Sequence, residues 1–221
     1  MTYTLAFLHS AEAHVESFDR LIERADLPVR TVHEVRAAWL DRAREDGIGV
    51  GLLAEVRTLL AELAERADLV VCTCSTLGPI AESLGDASVL RVDAPMMERA
   101  VAVGGEVLLV LCLESTIHAS SQLLRRSFEA AGRPPNMRPL MVPEAWAAFE
   151  AGNSAAFTAA IVRWVGVALA AEPGIDCVVL GQASMHVARP ALLGSGVPVL
   201  TSPDCMLARL DELLDKTLRL A

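Results

Sequence analysis

The segment ADLVVCTCSTLGPIAE, residues 67–82, decides the fold, because it recurs later in the chain as IDCVVLGQASMHVARP, residues 175–190. The two copies align at a constant offset of 108 residues, which places Asp68 on Asp176. Each copy begins with an apolar run typical of a buried parallel strand and continues into small and hydroxyl-bearing residues typical of a helix start. The segment therefore predicts a strand–helix unit that is present twice.

Two further matches flank this repeat and keep its order. VLRVDAP meets VPVLTSP at the same offset, so that Pro95 falls on Pro203. The stretch LAFLHSAEAH from Leu5 resembles LVLCLESTIH from Leu109, at an offset of about 104 residues. Matches in the same order, with a small insertion or deletion between them, indicate that an α/β unit was duplicated.

The hydrophobic pattern alternates between short apolar runs and longer amphipathic ones. It predicts a buried strand at Thr4–His9, a helix at Glu12–Ala25, a second strand at PVRTVHEV, and a helix from about Gly51 that leads into the third strand, ADLVVCT. A last helix is predicted from about Cys205 to Leu220, returning to the first unit. Strands that alternate with helices predict a parallel sheet covered on both faces.

Composition narrows the protein class. Hydrophobic residues make up 53% of the 221 residues but aromatics only 4%, so the core is packed mostly with Ala, Leu and Val. The net charge of -9 would repel a phosphate backbone, which argues against nucleic acid as a partner. The apolar run Ala100–Leu113 is too short to span a bilayer and contains Glu106, and the N-terminus has no basic leader. We therefore expect a cytoplasmic α/β protein without a membrane partner.

The cysteines and lysines limit the chemistry. An odd number of cysteines without an export signal predicts reduced thiols, and no pair of CxxC clusters has zinc-ligand spacing. The single lysine, Lys216, lies in a helical pattern near the C-terminus, which leaves pyridoxal phosphate almost without a candidate for its Schiff base. The residues therefore argue against a zinc site of this kind and against pyridoxal phosphate. The five cysteines are Cys72, Cys74, Cys112, Cys177 and Cys205.

Duplication also predicts where a ligand binds. The expected fold class is α/β, with two pseudo-symmetric parallel-sheet domains: residues 1–98 with 206–221, and residues 99–205. Ligands of open α/β sheets bind beyond the carboxyl ends of the strands, at loops that lead into helix N-termini. CTCST and GQASM would then lie on opposite walls of one cleft, which is the predicted site.

Cys74 is the predicted catalytic thiol. It follows the apolar run Leu69–Val71 and precedes hydroxyl residues and Gly78, which places it at a strand end just before a helix. Backbone N–H groups and a helix dipole at such a place stabilise a thiolate, so the thiol becomes a usable base or nucleophile. The alternative is a small core residue, which is the interpretation favoured for Cys72.

The predicted substrate contacts lie in the loops that follow strands. Ser75 and Thr76 either cap the next helix or hold a carboxylate. Glu114, in the loop of the second domain, would oppose an anion unless it is protonated or turned away, and His186 is an ordinary polar helix residue if it is not a catalyst. The predicted contact residues are Ser10, Ser75, Thr76, Ser115, Thr116, Ala183, Ser184 and His186.

Four segments together resemble one family, the aspartate/glutamate/hydantoin racemase superfamily. They are CST at 74–76, RVDAPMMERAV from Arg91, EST at 114–116 and VVLGQASM at 178–185. The resemblance implies a two-domain pseudo-symmetric α/β fold, no cofactor or metal, and a small carboxylate or cyclic amide bound between the domains. It further implies an isomerase in which one cysteine on each side of the substrate carbon removes or returns a proton.

Gln182 departs from this pattern, because the family has its second cysteine there and an amide cannot carry a proton. In the first interpretation, which we expect, Cys74 is the thiolate base of a racemase-type isomerase, Gln182 polarises the substrate, and a group such as His186 or Cys205 supplies the second proton. In the second, Cys74 alone protonates an enediolate, as in decarboxylation of a malonate-like acid, or adds as a nucleophile.

In a third interpretation, the protein binds a small acid without turnover. The sequence leaves the identity of the substrate open, and also the oligomeric state, a homo-oligomer included.

Overall fold

The structure, a computed structural model, describes residues 3–218, with side chains described as far as Leu214. Eight strands lie in this range: β1 (Tyr3–His9), β2 (Val29–Val35), β3 (Leu69–Cys72), β4 (Val89–Arg91), β5 (Glu106–Leu111), β6 (Met137–Met141), β7 (Ile175–Leu180) and β8 (Val199–Thr201). The helices of the first half are α1 (Ala13–Arg24), α2 (Ala37–Glu45), α3 (Val50–Ala64), α4 (Gly78–Glu82) and α5 (Ala94–Val103). Those of the second half are α6 (Glu114–Ala130), α7 (Pro143–Glu150), α8 (Ser154–Ala171), a 3₁₀ helix (Ala183–Ala188), α9 (Arg189–Leu192) and α10 (Ser202–Leu218).

The strands form two parallel sheets with the same topology. The orders are β2-β1-β3-β4 and β6-β5-β7-β8, so each half places its first and third strands at the centre. This identity of order confirms the predicted α/β fold built from two copies of one unit. The strands and helices predicted up to β3 are present within one or two residues of their predicted ends, and the predicted end of the last helix at Leu220 lies outside the described residues.

Two compact units divide the chain. Unit 1 contains the residues up to Val92 together with those from Met206 onward, and unit 2 is Asp93–Cys205. The boundary that the sequence placed between residues 98 and 99 falls inside α5. This helix contributes Met96 and Val101 to the core of unit 2, and because a helix packs as one piece, all of α5 lies in that unit.

The core of unit 2 shows why its strands are apolar at every position. Leu108 and Val110 of β5 pack on one face with α7 and α8, whereas Leu109 and Leu111 pack on the other face with α5 and α6. A parallel strand covered on both faces has no solvent side, so successive side chains enter two different core layers.

Two aspartates fix the correspondence between the units. Asp68 accepts a hydrogen bond from the backbone N–H of Thr4 at 2.7 Å, and Asp176 accepts one from Glu106 at 2.8 Å. Asp68 and Asp176 therefore occupy equivalent positions in the two units, as the alignment predicted. The same contacts show that β1 and β5 correspond at an offset of 102 residues and not 104. Sequence similarity misplaced them because buried strands are apolar throughout and tolerate a slip of two residues without a change of face.

The last strands are shifted in a similar way. Val70 pairs with Val89, and its counterpart Val178 pairs with Val199, two residues later than the alignment of VLRVDAP with VPVLTSP predicts. At the predicted offset of 104 residues, Ser10 would correspond to Glu114. The counterpart of Ser10 is Cys112, not Glu114.

Helix α8 is apolar enough and, at 18 residues, long enough to cross a membrane, and no other helix among the described residues passes this test. Its buried residues Phe157, Ile161 and Val165 pack against the sheet of unit 2. An ion pair joins its Arg163 to Glu144 of α7 at 3.6 Å. These contacts are those of a helix that covers a sheet.

Candidate active site

Cys74 lies in the turn between β3 and α4. The strand ends at Cys72, whose side chain is fully buried, and the Leu77 N–H donates to the Cys74 carbonyl at 3.1 Å before α4 begins at Gly78. The Cys74 side chain is only 6% exposed. The position after a strand and before a helix is as predicted, but α4 has only five residues, so its dipole is small.

Burial decides the charge of this thiol. Desolvation raises the pKa of Cys74, and hydrogen bonds from the Ser10 and Thr76 hydroxyls and the N–H groups of Thr76 and Leu77 oppose the rise without cancelling it. Because the pKa of Cys74 lies above its usual value, the predicted thiolate is the minor form at neutral pH. The donors are nevertheless in place to receive negative charge on the sulfur.

The hydroxyls next to Cys74 do not cap α4. The N-cap residue of that helix is Leu77, and no side chain caps it. Ser75 and Thr76 are both buried, and the Thr76 hydroxyl interacts with the thiol instead. The structure thus brings Ser10, Cys74 and Thr76 together in unit 1.

Gln182 is held in unit 2 by three hydrogen bonds, two with Cys112 and one with Thr116. Its Oε1 accepts from the Cys112 N–H at 3.0 Å, and its Nε2 donates to the Thr116 hydroxyl at 2.8 Å. Thr116 in turn donates to the Leu113 carbonyl at 2.7 Å, within the first turn of α6. A backbone N–H can only donate, so the orientation of the amide is fixed.

Cys112 is a site residue that the sequence analysis did not select. Its Sγ lies 3.4 Å from Oε1 of Gln182, and burial raises its pKa to about 12. Each unit therefore pairs the residue after its first strand with the residue two places after its third: Ser10 with Cys74, and Cys112 with Gln182. The corrected strand offset is the signal that would have found Cys112.

The remaining predicted residues take different positions. Ala183 and Ser184 are buried in the 3₁₀ helix, where Nδ1 of the half-buried His186 lies 3.1 Å from the Ala183 carbonyl. Ser115 is half-buried in the first turn of α6. Cys205 is half-buried in α10, and burial together with nearby Asp204 raises its pKa to about 11. That these groups share one cleft with Cys74 stays a prediction.

A chain of polar side chains beside Cys74 was also missed. His9 Nδ1 lies 2.8 Å from the Thr73 hydroxyl, His9 Nε2 lies 2.8 Å from His33 Nδ1, and His33 Nε2 lies 2.9 Å from Asp19. Burial, and to a smaller degree His14 and His33, lowers the pKa of His9 to about 3, so its ring is neutral. Within the described residues, no cluster of His, Cys, Asp and Glu could hold a metal ion.

Unit 2 has no such chain at the corresponding place. The Thr73 N–H donates to the Leu8 carbonyl at 3.0 Å, as the Gly181 N–H does to Val110 at 2.8 Å, which makes Gly181 the counterpart of Thr73. A Cβ at Gly181 would lie 2.5 Å from Cδ2 of Leu111 and 2.9 Å from the Val110 oxygen. Only glycine fits there.

This contact predicts opposite effects for two glycine-to-alanine changes. Gly181→Ala should lower the free energy of unfolding by about 1–3 kcal/mol because the new methyl group overpacks the sheet. Gly166→Ala lies in the middle of α8, where the new Cβ would meet no atom within 4 Å beyond its chain neighbours and the backbone of its own helix, and should raise it by up to about 1 kcal/mol. Urea unfolding measures both, and an equal loss in the two variants would contradict the assignment.

Comparison with known proteins identifies the fold. No protein-family model matches the sequence, and no curated protein matches it. A glutamate racemase from Bacillus anthracis matches with a TM-score of 0.70 and 15% identity, over 97% of this chain and 82% of that one. The aspartate racemase of Picrophilus torridus matches with a TM-score of 0.65 and 11% identity, over 95% and 93% of the two chains. An allantoin racemase from Pseudomonas fluorescens has a TM-score of 0.62 and 15% identity, over 97% and 92%.

These matches cover nearly the whole chain at low identity. They confirm, at the level of the fold, the resemblance to the aspartate/glutamate/hydantoin racemase superfamily that the sequence segments indicated.

Proposed function

We propose that the protein is a cofactor-independent isomerase of the racemase type, acting in the cytoplasm at the α-carbon of a small carboxylate or cyclic amide, with Cys74 as its acid/base group. The observation that carries the proposal is the surrounding of the Cys74 sulfur by hydrogen-bond donors from Ser10, Thr76 and Leu77. The racemase fold supports the same class of reaction.

The donors suit a sulfur that alternates between thiol and thiolate. To act as a base, Cys74 first gives its proton to water, and the four hydrogen bonds then strengthen because their acceptor is charged. The thiolate takes the α-hydrogen, so an S–H bond forms as the C–H bond breaks and the electron pair moves into an enediolate. Return of a proton to the opposite face, from a second donor such as His186 or Cys205, inverts the carbon.

Gln182 is proposed to bind the substrate. One N–H of its amide donates to Thr116, and no other residue in the described part of the chain accepts the second N–H. An amide fixed in this way can donate to a substrate carboxylate or carbonyl oxygen, and so stabilise negative charge that develops there.

The charge of Cys74 favours one alternative reaction, a decarboxylation. A buried thiol that rests protonated is already prepared to give one proton to an enediolate, and residue 182 has no proton to give. A lyase of malonate-like acids needs just this single delivery.

Two assays on the wild-type protein separate the candidates. Small amino, hydroxy and dicarboxylic acids and hydantoins are incubated in deuterated water, and α-deuterium and optical rotation are measured. Substituted malonates are tested for release of carbon dioxide. We expect α-deuterium incorporation with loss of optical purity. Release of carbon dioxide without α-hydrogen exchange would show that the protein is a lyase and not an isomerase. Thermal shifts with small acids, without turnover in either assay, would show that it is a binding protein.

A further inference from the structure

The polar chain of unit 1 joins the ends of two neighbouring strands. His9 is the last residue of β1, and Thr73 follows the end of β3. Their side chains meet at 2.8 Å, and the residues that follow each of them, Ser10 and Cys74, also form a hydrogen bond. Two consecutive cross-links therefore connect the same two strand ends, and the second of them includes the reactive thiol.

The chain continues from His9 to the surface side of α1. His33 of β2 bridges His9 to Asp19, and Asp19 also accepts from the Thr31 hydroxyl at 3.0 Å. The His9 and His33 rings stack with centroids 5.1 Å apart, and His14 meets His9 edge-on at 5.9 Å. These histidines and Asp19 are the titratable groups in contact with the chain.

A neutral His9 couples the directions of the hydrogen bonds on its two sides. A neutral imidazole donates through one nitrogen and accepts through the other, so a donor at His33 makes His9 a donor to Thr73. The Thr73 hydroxyl then donates to the Leu8 carbonyl, which lies 3.1 Å away. In the reverse direction, His9 donates to His33 and accepts from the Thr73 hydroxyl.

The fold does not require this chain. His9 accepts from the Arg36 N–H at 2.9 Å through its backbone carbonyl, as Leu111 does from Val142 at 2.8 Å, so Leu111 is the counterpart of His9. Unit 2 thus builds the same sheet with Leu111 and Gly181 where unit 1 has His9 and Thr73. Buried polar groups that the second copy replaces by apolar ones point to a role beyond folding.

We propose that Asp19, His33, His9 and Thr73 are positioning residues of the thiol site, whose continuous hydrogen bonds hold the ends of β1 and β3 so that the Ser10 hydroxyl stays on the sulfur of Cys74. The inference rests on the proposed function only in taking Cys74 as the reactive thiol. It assigns Thr73 and the histidines no contact with substrate.

The test measures the pKa of Cys74 in the full chain without any substrate. Iodoacetamide is added over a range of pH, and the alkylation rate of the Cys74 peptide is followed by mass spectrometry. Removing the Ser10 donor should raise the pKa of the thiol, so Ser10→Ala is the reference variant. Its alkylation profile should move up by about one pH unit, which lowers the alkylation rate at a fixed pH about tenfold. Thr73→Val should give a similar shift, and Thr73→Ser, which keeps the hydroxyl, should not.

Three controls separate positioning from general damage. Thr4→Val makes the same change at the opposite end of β1 and should leave the Cys74 profile unchanged. In a Ser10→Ala background, Thr73→Val should add nothing, because both changes remove one interaction. Asp19→Asn should shift the profile in the same direction by a smaller amount.

Two outcomes overturn the proposal. One is a Thr73→Val profile equal to that of Thr4→Val, and the other is a Thr73→Val shift that adds fully to that of Ser10→Ala. If Thr73→Val does not fold, Asp19→Asn replaces it in the test. A shifted profile in Asp19→Asn would then support the proposal, and an unchanged profile would overturn it. Since alkylation needs no turnover, an inactive protein would refute the proposed function without touching this result.

Discussion

Replacement of Cys74 by serine is expected to lower α-hydrogen exchange by about 10²–10⁴-fold, the usual contribution of one acid/base group. Serine keeps the shape of the side chain and its contacts with Ser10 and Thr76, but its hydroxyl does not ionise near neutral pH. The variant therefore removes the proton-carrying atom and leaves the pocket in place. Deuterium incorporation measured by NMR at saturating substrate gives the loss.

Cys177→Ala is the matched control. Cys177 is a buried thiol in the core of unit 2, where burial raises its pKa to about 12, so its removal costs packing but no proton carrier. We expect exchange rates within about threefold of wild type, with a lower thermal midpoint. Equal loss of exchange in the Cys74 and Cys177 variants would show that the effect is one of stability, and would contradict the role of Cys74.

The pH profile of the wild type distinguishes the two chemical roles of Cys74. Because burial raises the pKa of this thiol, the thiolate is the minor form at neutral pH. A reaction that uses the thiolate as base should therefore accelerate about tenfold per pH unit through the neutral range. A reaction that uses the thiol as acid should be flat there and decline only at alkaline pH.

The sequence predicted the architecture well because duplication leaves a signal that does not depend on packing. The repeated VV strands, the aspartates that precede them and the turn with Cys74 kept their spacing, and this was enough to infer two parallel sheets. Register was harder, since the apolar side chains of β1 and β5 carry little information about position. Cys112 was missed for this reason.

The protonation state of Cys74 and the hydrogen-bond chain through His9 could not be predicted from the sequence. A strand end followed by hydroxyls suggests a stabilised thiolate, but the pKa also depends on how completely the sulfur is buried, which is a property of tertiary packing. Likewise, His9 and His33 are 24 residues apart and meet because β1 and β2 pair in one particular register.

The substitution Gln182→Cys is expected to raise racemisation by at least about tenfold, or 1.4 kcal/mol of transition-state free energy. It would place a proton carrier at the position that corresponds to Cys74 in unit 2. If Gln182 only binds substrate in a site that otherwise suits racemisation, a thiol there supplies the missing second proton transfer. Loss of optical activity of the preferred substrate measures the gain.

The same change removes the three buried hydrogen bonds that Gln182 makes with Cys112 and Thr116. The Cys112 N–H loses its acceptor and the Thr116 hydroxyl loses its donor, which should cost about 1–3 kcal/mol of unfolding free energy. Gln182→Ser loses these bonds as well and has nearly the shape of the cysteine variant, but it has no ionisable proton near neutral pH. It therefore controls for the structural cost.

The comparison of these two variants decides between the reactions. Racemisation that rises in Gln182→Cys but not in Gln182→Ser requires the new thiol to reach the same substrate carbon as Cys74. Equal rates in the two variants would contradict the racemase interpretation. Cys74 would then act only as an acid that donates one proton. Decarboxylation of a malonate-like acid is the reaction that this role supports.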